Sequence, residues 1–202
     1  MIESQKLKEY HSMKESIDKI NQILDSVENL LLTESIEEIS LNRIITNSGF
    51  SKGGFFHYFK NKDELLIALT ERLMGYYKTL IINEMNADPN PTGRFIRAQA
   101  KLMLGNTISK PEYDYKRLEA IGQILLLTSK TNPKLLKIYK NCYIDFEKFY
   151  RNDGLPLTQS MLLNCALDGL WMAKSIGVQI HSTKEIHHLL EEIIHSSEKA
   201  TI

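Results

Sequence analysis

The stretch Ser48–Leu66, SGFSKGGFFHYFKNKDELL, limits the possible folds more than any other part of the chain. Gly49 falls between two segments of helical pattern, where glycine accepts the left-handed backbone that a sharp turn needs. Ser51 then supplies an oxygen to cap a new helix running from Lys52 to about Tyr58. That helix is short, and Gly53 and Gly54 each cost it roughly 1 kcal/mol relative to alanine. Two adjacent residues without side chains let a backbone come close to another molecule. Lys52, His57 and Tyr58 stand around them as hydrogen-bond donors, while Phe55 and Phe59 share one face and anchor the helix. Asn61 is placed to cap the next helix, with Lys62, Asp63 and Glu64 in its first turn. The stretch reads as the turn and second helix of a helix-turn-helix, followed by the start of another helix.

The same residues resemble the DNA-binding signature of the tetracycline-repressor (TetR) family of bacterial regulators. Gly49, Phe50, Ser51, Lys52, Gly53 and Phe55 match it, as do Phe59, Lys62, Asp63 and Leu65. Upstream, Ile23-Leu24-Asp25 and Ser40-Leu41-Asn42-Arg43-Ile44 fall in register without a gap. The match covers about a quarter of the chain. Gly54 stands where the family has Ser, Thr or Ala, and Phe56 where it mostly has Tyr. The second change removes a hydroxyl and leaves ring contacts, such as those with a thymine methyl. The resemblance implies DNA contacts from Ser40, Asn42 and Arg43 at one helix start. It implies more from Ser51, Lys52, Gly53 and Gly54, and from Phe56, His57 and Tyr58. Lys62 and Tyr58 are expected to hold phosphates.

At 202 residues the chain is long enough to bury a real core. Its formal net charge is zero, so the whole-chain balance gives no sign of a nucleic-acid partner. Locally the balance differs: between Ser40 and Lys62 stand Arg43, Lys52, Lys60 and Lys62, and no acid. Cys142 and Cys165 lie in apolar helical surroundings and read as reduced, buried thiols. The first residues are polar rather than a signal peptide, and no apolar run approaches the roughly 20 residues of a membrane span. A cytoplasmic protein with no membrane partner is expected. No nucleophile elbow, phosphate loop or zinc-hydrolase helix is present, so no enzyme is expected. His188, Glu192 and His195 share a helical face but lack a completing ligand, so no metal or cofactor is expected either.

Taken in order, Met1 to Met13 reads as a frayed or loosely helical tail, and Glu15 to Thr33 as an amphipathic helix. Ser35 and Ile36 stand where the family has Gly and an aromatic residue. Ser40 caps a second helix, Leu41 to Ser48, and the Lys52 helix completes a three-helix head. Further helices are expected from Lys62 to about Met85, Thr92 to Asn106, Tyr113 to Ser129 and Pro133 to Arg151. Asp88-Pro89-Asn90-Pro91, Lys110-Pro111 and Asn152-Asp153-Gly154 are the breaks between them. Leu157 to Gly177 and Ser182 to about Glu198 close the chain. The fold class is all-α: a helix-turn-helix DNA-binding domain over residues 1–65, then a larger helical ligand-binding and dimerisation domain over 66–202.

Asp168-Gly169-Leu170-Trp171 again resembles the family, in the penultimate helix of its C-terminal domain. Gly169 lets another helix approach, Trp171 offers a large apolar surface, and Ile186, Leu190 and Ile193 lie on one face of the last helix. These residues either form a four-helix homodimer seam or close a monomeric core. The middle helices are rich in Tyr and Met, which suits an adaptable pocket for the small-molecule effector that the resemblance implies. Met103, Ile121 and Tyr143 are its candidate lining, with Asn164 and Asp168 as polar anchors. Two functions follow: a ligand-responsive homodimeric regulator binding double-stranded DNA, most often a repressor, or a helical ligand- or partner-binding protein that no longer binds DNA.

Overall fold

The computed structural model describes residues 2–105, 119–124, 132–175, 177–178 and 181–198, with side chains from Gln5 onward. Among the described residues every regular element is a helix. They are α1 (Ile2–Leu31), α2 (Leu41–Ser48), α3 (Lys52–Tyr58), α4 (Lys62–Ala87) and α5 (Arg94–Leu104), then α6 (119–124), α7 (Pro133–Arg151), α8 (Leu157–Ser175) and α9 (Thr183–Ser196). The expected break at Lys110-Pro111, together with Tyr113, Tyr115 and both ends of the helix expected over Tyr113 to Ser129, lies outside the described residues. The chain divides into two compact units, Met1–Leu69 and Thr70–Ile202.

In the first unit, α1 is longer than its apolar pattern predicts. It runs unbroken from Ile2 because no Gly or Pro interrupts it, and the expected loose tail is helical. Its inner face buries Ile23, Leu24 and Val27 with Ile36, Ile39 and Ile44. Ile36 is almost fully enclosed, so an aliphatic side chain fills the place where the family has an aromatic one. Two side chains join α1 to α2. Gln22 donates to the Ser48 carbonyl at 3.3 Å, and Asn47 donates to the carbonyl and hydroxyl of Ser26 at 3.2 and 3.0 Å. Gly49 turns the chain with φ 73°, and Phe55 and Phe59 then plug α3 into the core beside Leu65 and Leu69. Each such burial is worth roughly 1.5–3 kcal/mol, enough to offset the two glycines of α3.

The second unit is organised by a buried cation. Arg97, on α5, is only 3% exposed. Its Nε donates to Asp88 at 2.7 Å, and its two terminal nitrogens donate to the carbonyls of Thr92, Asn90 and Ser197 at 2.6, 2.7 and 2.9 Å. One guanidinium thus fixes the α4–α5 loop and the end of α9, and α9 packs against α5. Burial pushes the Asp88 carboxyl up, but hydrogen bonds from Arg97 and the Asn90 amide, with the charges of Arg97 and Lys101, hold it below its ordinary range. α5 begins at Arg94 rather than Thr92 because Gly93 is left-handed, at φ 71°, and a Cβ there would overlap the Ser197 carbonyl. Asp153 caps the new helix, accepting from the Phe95 amide at 2.9 Å, while its own carbonyl accepts from Gly93 at 2.6 Å. Gly105, at φ 72°, ends α5 before the expected Asn106.

Arg97→Met should leave Asp88 charged and buried with Lys101, 3.5 Å away, as its remaining counter-charge, and cost about 3–5 kcal/mol in a urea melt followed by circular dichroism. A loss below about 1 kcal/mol would show that Arg97 is not the organising contact.

Candidate functional site

The turn and α3 present one face to solvent. Ser51 caps α3, accepting from the Gly54 amide at 3.1 Å, and Ser40 caps α2, accepting from Arg43 at 3.2 Å. Beyond these caps Asn42 and Arg43 on α2, and Lys52, Gly53, Phe56 and His57 on α3, are exposed. A Cβ at Gly53 would meet only open space, whereas one at Gly54 would lie 3.2 Å from the Ser51 hydroxyl and 3.6 Å from the Phe50 ring. Gly54 therefore keeps the cap compact. Phe56 is 36% exposed, its ring edge-on to Phe55 at 5.7 Å, so it is not part of the core. Tyr58 is half-buried between Phe50, at 6.0 Å, and His57, at 4.9 Å. Lys60 is exposed at the end of this surface. Only its charge was legible in the sequence.

Two basic residues are engaged inside the unit. Arg43 pairs with Glu34 at 3.0 Å on the surface, a contact that water and salt weaken. Lys62 corrects an expectation. Instead of standing free for a phosphate, its ammonium donates to the carbonyls of Ile36 and Ile39 at 3.3 and 2.9 Å. Both carbonyls lie in the loop between α1 and α2, and Lys62 ties them to the start of α4.

In the second unit a cleft with about 40 Å³ of solvent-sized space lies between α4, α5, α6, α7 and α8. Met103, Ile121, Tyr143 and Asp168 are among the residues that line it. Asn164 stands behind, within a polar relay. Tyr77 donates to Gln99 at 3.3 Å, Gln99 to Asn164 at 3.0 Å, and Asn164 to Asp168 at 2.9 Å. Tyr143 reaches the other Asp168 oxygen at 3.5 Å. Burial pushes the Asp168 carboxyl up to about 6, against the lowering effect of its bonds from Tyr143 and Asn164. Burial also raises the phenols of Tyr77 and Tyr143, so both stay protonated donors. The Cys142 thiol is pushed up to about 12 by burial, which keeps it an unreactive thiol. Gln99 was not foreseen, because a lone amide on an amphipathic helix looks like part of the solvated face.

Three residues expected at a dimer seam lie elsewhere. Trp171 lines the cleft, where Gly122 makes room; a Cβ there would sit 3.3 Å from the indole and overlap Ser175. Leu190 and Ile193 are buried, because the Arg97 bond to Ser197 draws the apolar face of α9 onto α5. Ile186 is half-buried at a second hollow beside Ala173 and Lys174. Gly169 alone of the expected seam residues is exposed with open space around it.

A helix-turn-helix unit followed by a helical unit with a polar-anchored cavity joins a DNA-binding motif to a ligand-sized cleft. Residues 23–69 match the bacterial regulatory proteins of the tetR family, and residues 93–198 match the tetracyclin repressor-like C-terminal domain. The chain belongs to the TetR family of transcriptional regulators, with a DNA-binding helix-turn-helix and a ligand-binding C-terminal domain. It is 30% identical over 98 residues to the fatty acid metabolism regulator protein of Bacillus subtilis (strain 168), covering 48% of this chain and 46% of that one. The alignment thus spans just under half of that relative. A transcriptional regulator of Rhodococcus sp. Rha1 superposes with a TM-score of 0.69 at 17% identity, over 88% of this chain and 95% of its own. A regulator from Saccharomonospora viridis, crystallised with choline, gives 0.66 at 14% identity, over 88% and 96%. Among the described residues no helix is long and apolar enough to cross a membrane.

Lys62→Ala should lower stability by about 1–3 kcal/mol, since two loop carbonyls lose a charged donor. Phe56→Ala should cost less than about 1 kcal/mol. Urea melts of the two variants check this, and a reversed order would return Lys62 to the surface and Phe56 to the core.

Proposed function

We propose that the chain is a homodimeric repressor that a small molecule releases from a palindromic operator. The observation carrying this reading is α3: a seven-residue helix whose backbone is bare at Gly53 and whose outer face carries Lys52, Phe56 and His57. A major groove admits such a helix, with Lys52 and Lys60 meeting phosphates and Asn42, Arg43 and Tyr58 flanking them. Phe56 offers its ring to a thymine methyl. The protein acts in the cytoplasm, where its DNA is.

For the dimer, α8 provides the better surface. Met161, Leu162 and Cys165 are exposed on it beside the open Gly169, and Leu162 is 70% exposed. An apolar stripe of this kind on a helix of a soluble regulator fits burial against its copy across a two-fold axis. The effector occupies the cleft around Asp168. α4 contributes Tyr77 to the relay there, and its first turns, from Lys62 to Leu69, belong to the unit that carries α3. A ligand that shifts this helix changes the spacing of two heads on DNA.

Selection from a random DNA pool tests the function. A palindromic site should emerge, with affinity falling steeply as salt rises. Lys52→Ala should weaken all sites about equally and reduce the salt slope by about one phosphate contact. If no sequence is retained, the chain is a helical binding protein without a DNA partner. Leu162→Glu should convert a dimer to monomer in sedimentation without loss of helicity; an unchanged dimer would move the seam away from α8.

A further inference from the structure

Resting on the effector reading above, the geometry points to an organic monocation, an ammonium head on an apolar or aromatic body, as the ligand of the Asp168 cleft. Three observations carry it. The first is an uncompensated charge. Among the described residues Asp168 receives hydrogen bonds only from the neutral groups of Tyr143 and Asn164, and no Lys, Arg or His lines the cleft. Lys78, the cation nearby on α4, is taken by Asp145 at 2.6 Å. A carboxylate has about four acceptor positions, so two bonds leave Asp168 able to receive a ligand.

The second observation is the direction of the relay. Tyr77, Gln99 and Asn164 all donate towards Asp168, from α4 through α5 to α8. Such a chain gathers donors on one carboxylate and favours its ionised form. This is the arrangement that holds a negative charge ready in an apolar cleft, and desolvation makes that charge attract a cation more strongly than water would allow.

The third is the wall. The rings of Tyr77, Tyr143, Phe146 and Trp171 line the cleft together with Asp168, and aromatic faces attract cations that have shed their water. A metal ion is poorly served: among the described residues no group of three His, Cys, Asp or Glu is close enough to hold one. An anion would be repelled. The cleft is narrow, with about 40 Å³ of solvent-sized space, so the ligand body enters by displacing Met74 and Met103, whose unbranched chains re-pack readily.

Trp171 is the only tryptophan of the chain and lines the cleft, so its fluorescence reports occupancy directly. The test uses the full-length protein with benzyltrimethylammonium, its neutral isostere neopentylbenzene, and phenylacetate. Benzyltrimethylammonium should change Trp171 emission and raise Tm, binding at least roughly tenfold tighter than neopentylbenzene, with phenylacetate weakest. Asp168→Asn should abolish that preference. The variant should fold: the relay can reverse, each amide flipping so that Gln99 donates to Tyr77. Because burial raises the Asp168 carboxyl from its ordinary 3.8 to about 6, the cost of its charged form to folding grows between those values and is complete above about 6. Asp168→Asn should therefore raise Tm at pH 8 and change it little at about pH 3. Equal affinity for cation and neutral isostere, a preference for phenylacetate, a preference surviving in Asp168→Asn, or no response to benzyltrimethylammonium would each overturn the cation assignment. Equal affinities would leave the cleft standing as an effector site, whose own test is release of DNA.

Discussion

The burial of Phe55 and Phe59 is the contact on which the DNA-binding unit depends. α3 has seven residues and two glycines, too short and too permissive to persist alone. It exists because two rings on its inner face are buried in the core of the unit. Fixing the helix from within frees the outer face from any structural task. Lys52, Gly53, Phe56 and His57 can then be chosen for what lies outside the protein. Lys62 serves the same end by a different route, holding the carbonyls of Ile36 and Ile39 so that the loop before α2 keeps its course.

The second unit solves an analogous problem with charge. A guanidinium buried at Arg97 would be costly if left unpaired, and here an ion pair and three carbonyls satisfy it. Its consequence is positional. With the end of α9 tied to α5, the apolar stripe of α9 turns inward, and α8 is left to present Met161, Leu162 and Gly169 to solvent. The polar relay from Tyr77 to Asp168 runs from α4 through α5 to α8 and keeps a carboxylate in a cleft of aromatic rings.

The head was largely legible in the sequence, because local chemistry determines it. A glycine between two helical patterns, Ser40, Ser51 and Asn61 as caps, and two phenylalanines four apart specify α2, α3 and the start of α4 within a few residues. The roles of Lys62, Gln22 and Asn47 were not legible, since each bonds to backbone more than twenty positions away. In the second unit, periodicity gave the helices but not their orientation. An apolar face on α9 fits a core or a seam equally well, and only the distant bond from Arg97 to Ser197 decides between them. Met103, Ile121, Tyr143 and Asp168 were candidates for the cleft, while Gln99 and Trp171 entered it through packing that no short spacing encodes.

The central claim is that α3 is held by its inner face so that its outer face can read DNA. Amide hydrogen exchange of the full-length protein, with and without a DNA site selected from a random pool, tests it directly. The account predicts that amides from Phe50 to Tyr58 and those at the start of α2 slow markedly on adding DNA, while those of α5 and α9 exchange as before. Unchanged exchange across α2 and α3, with protection appearing elsewhere, would contradict it.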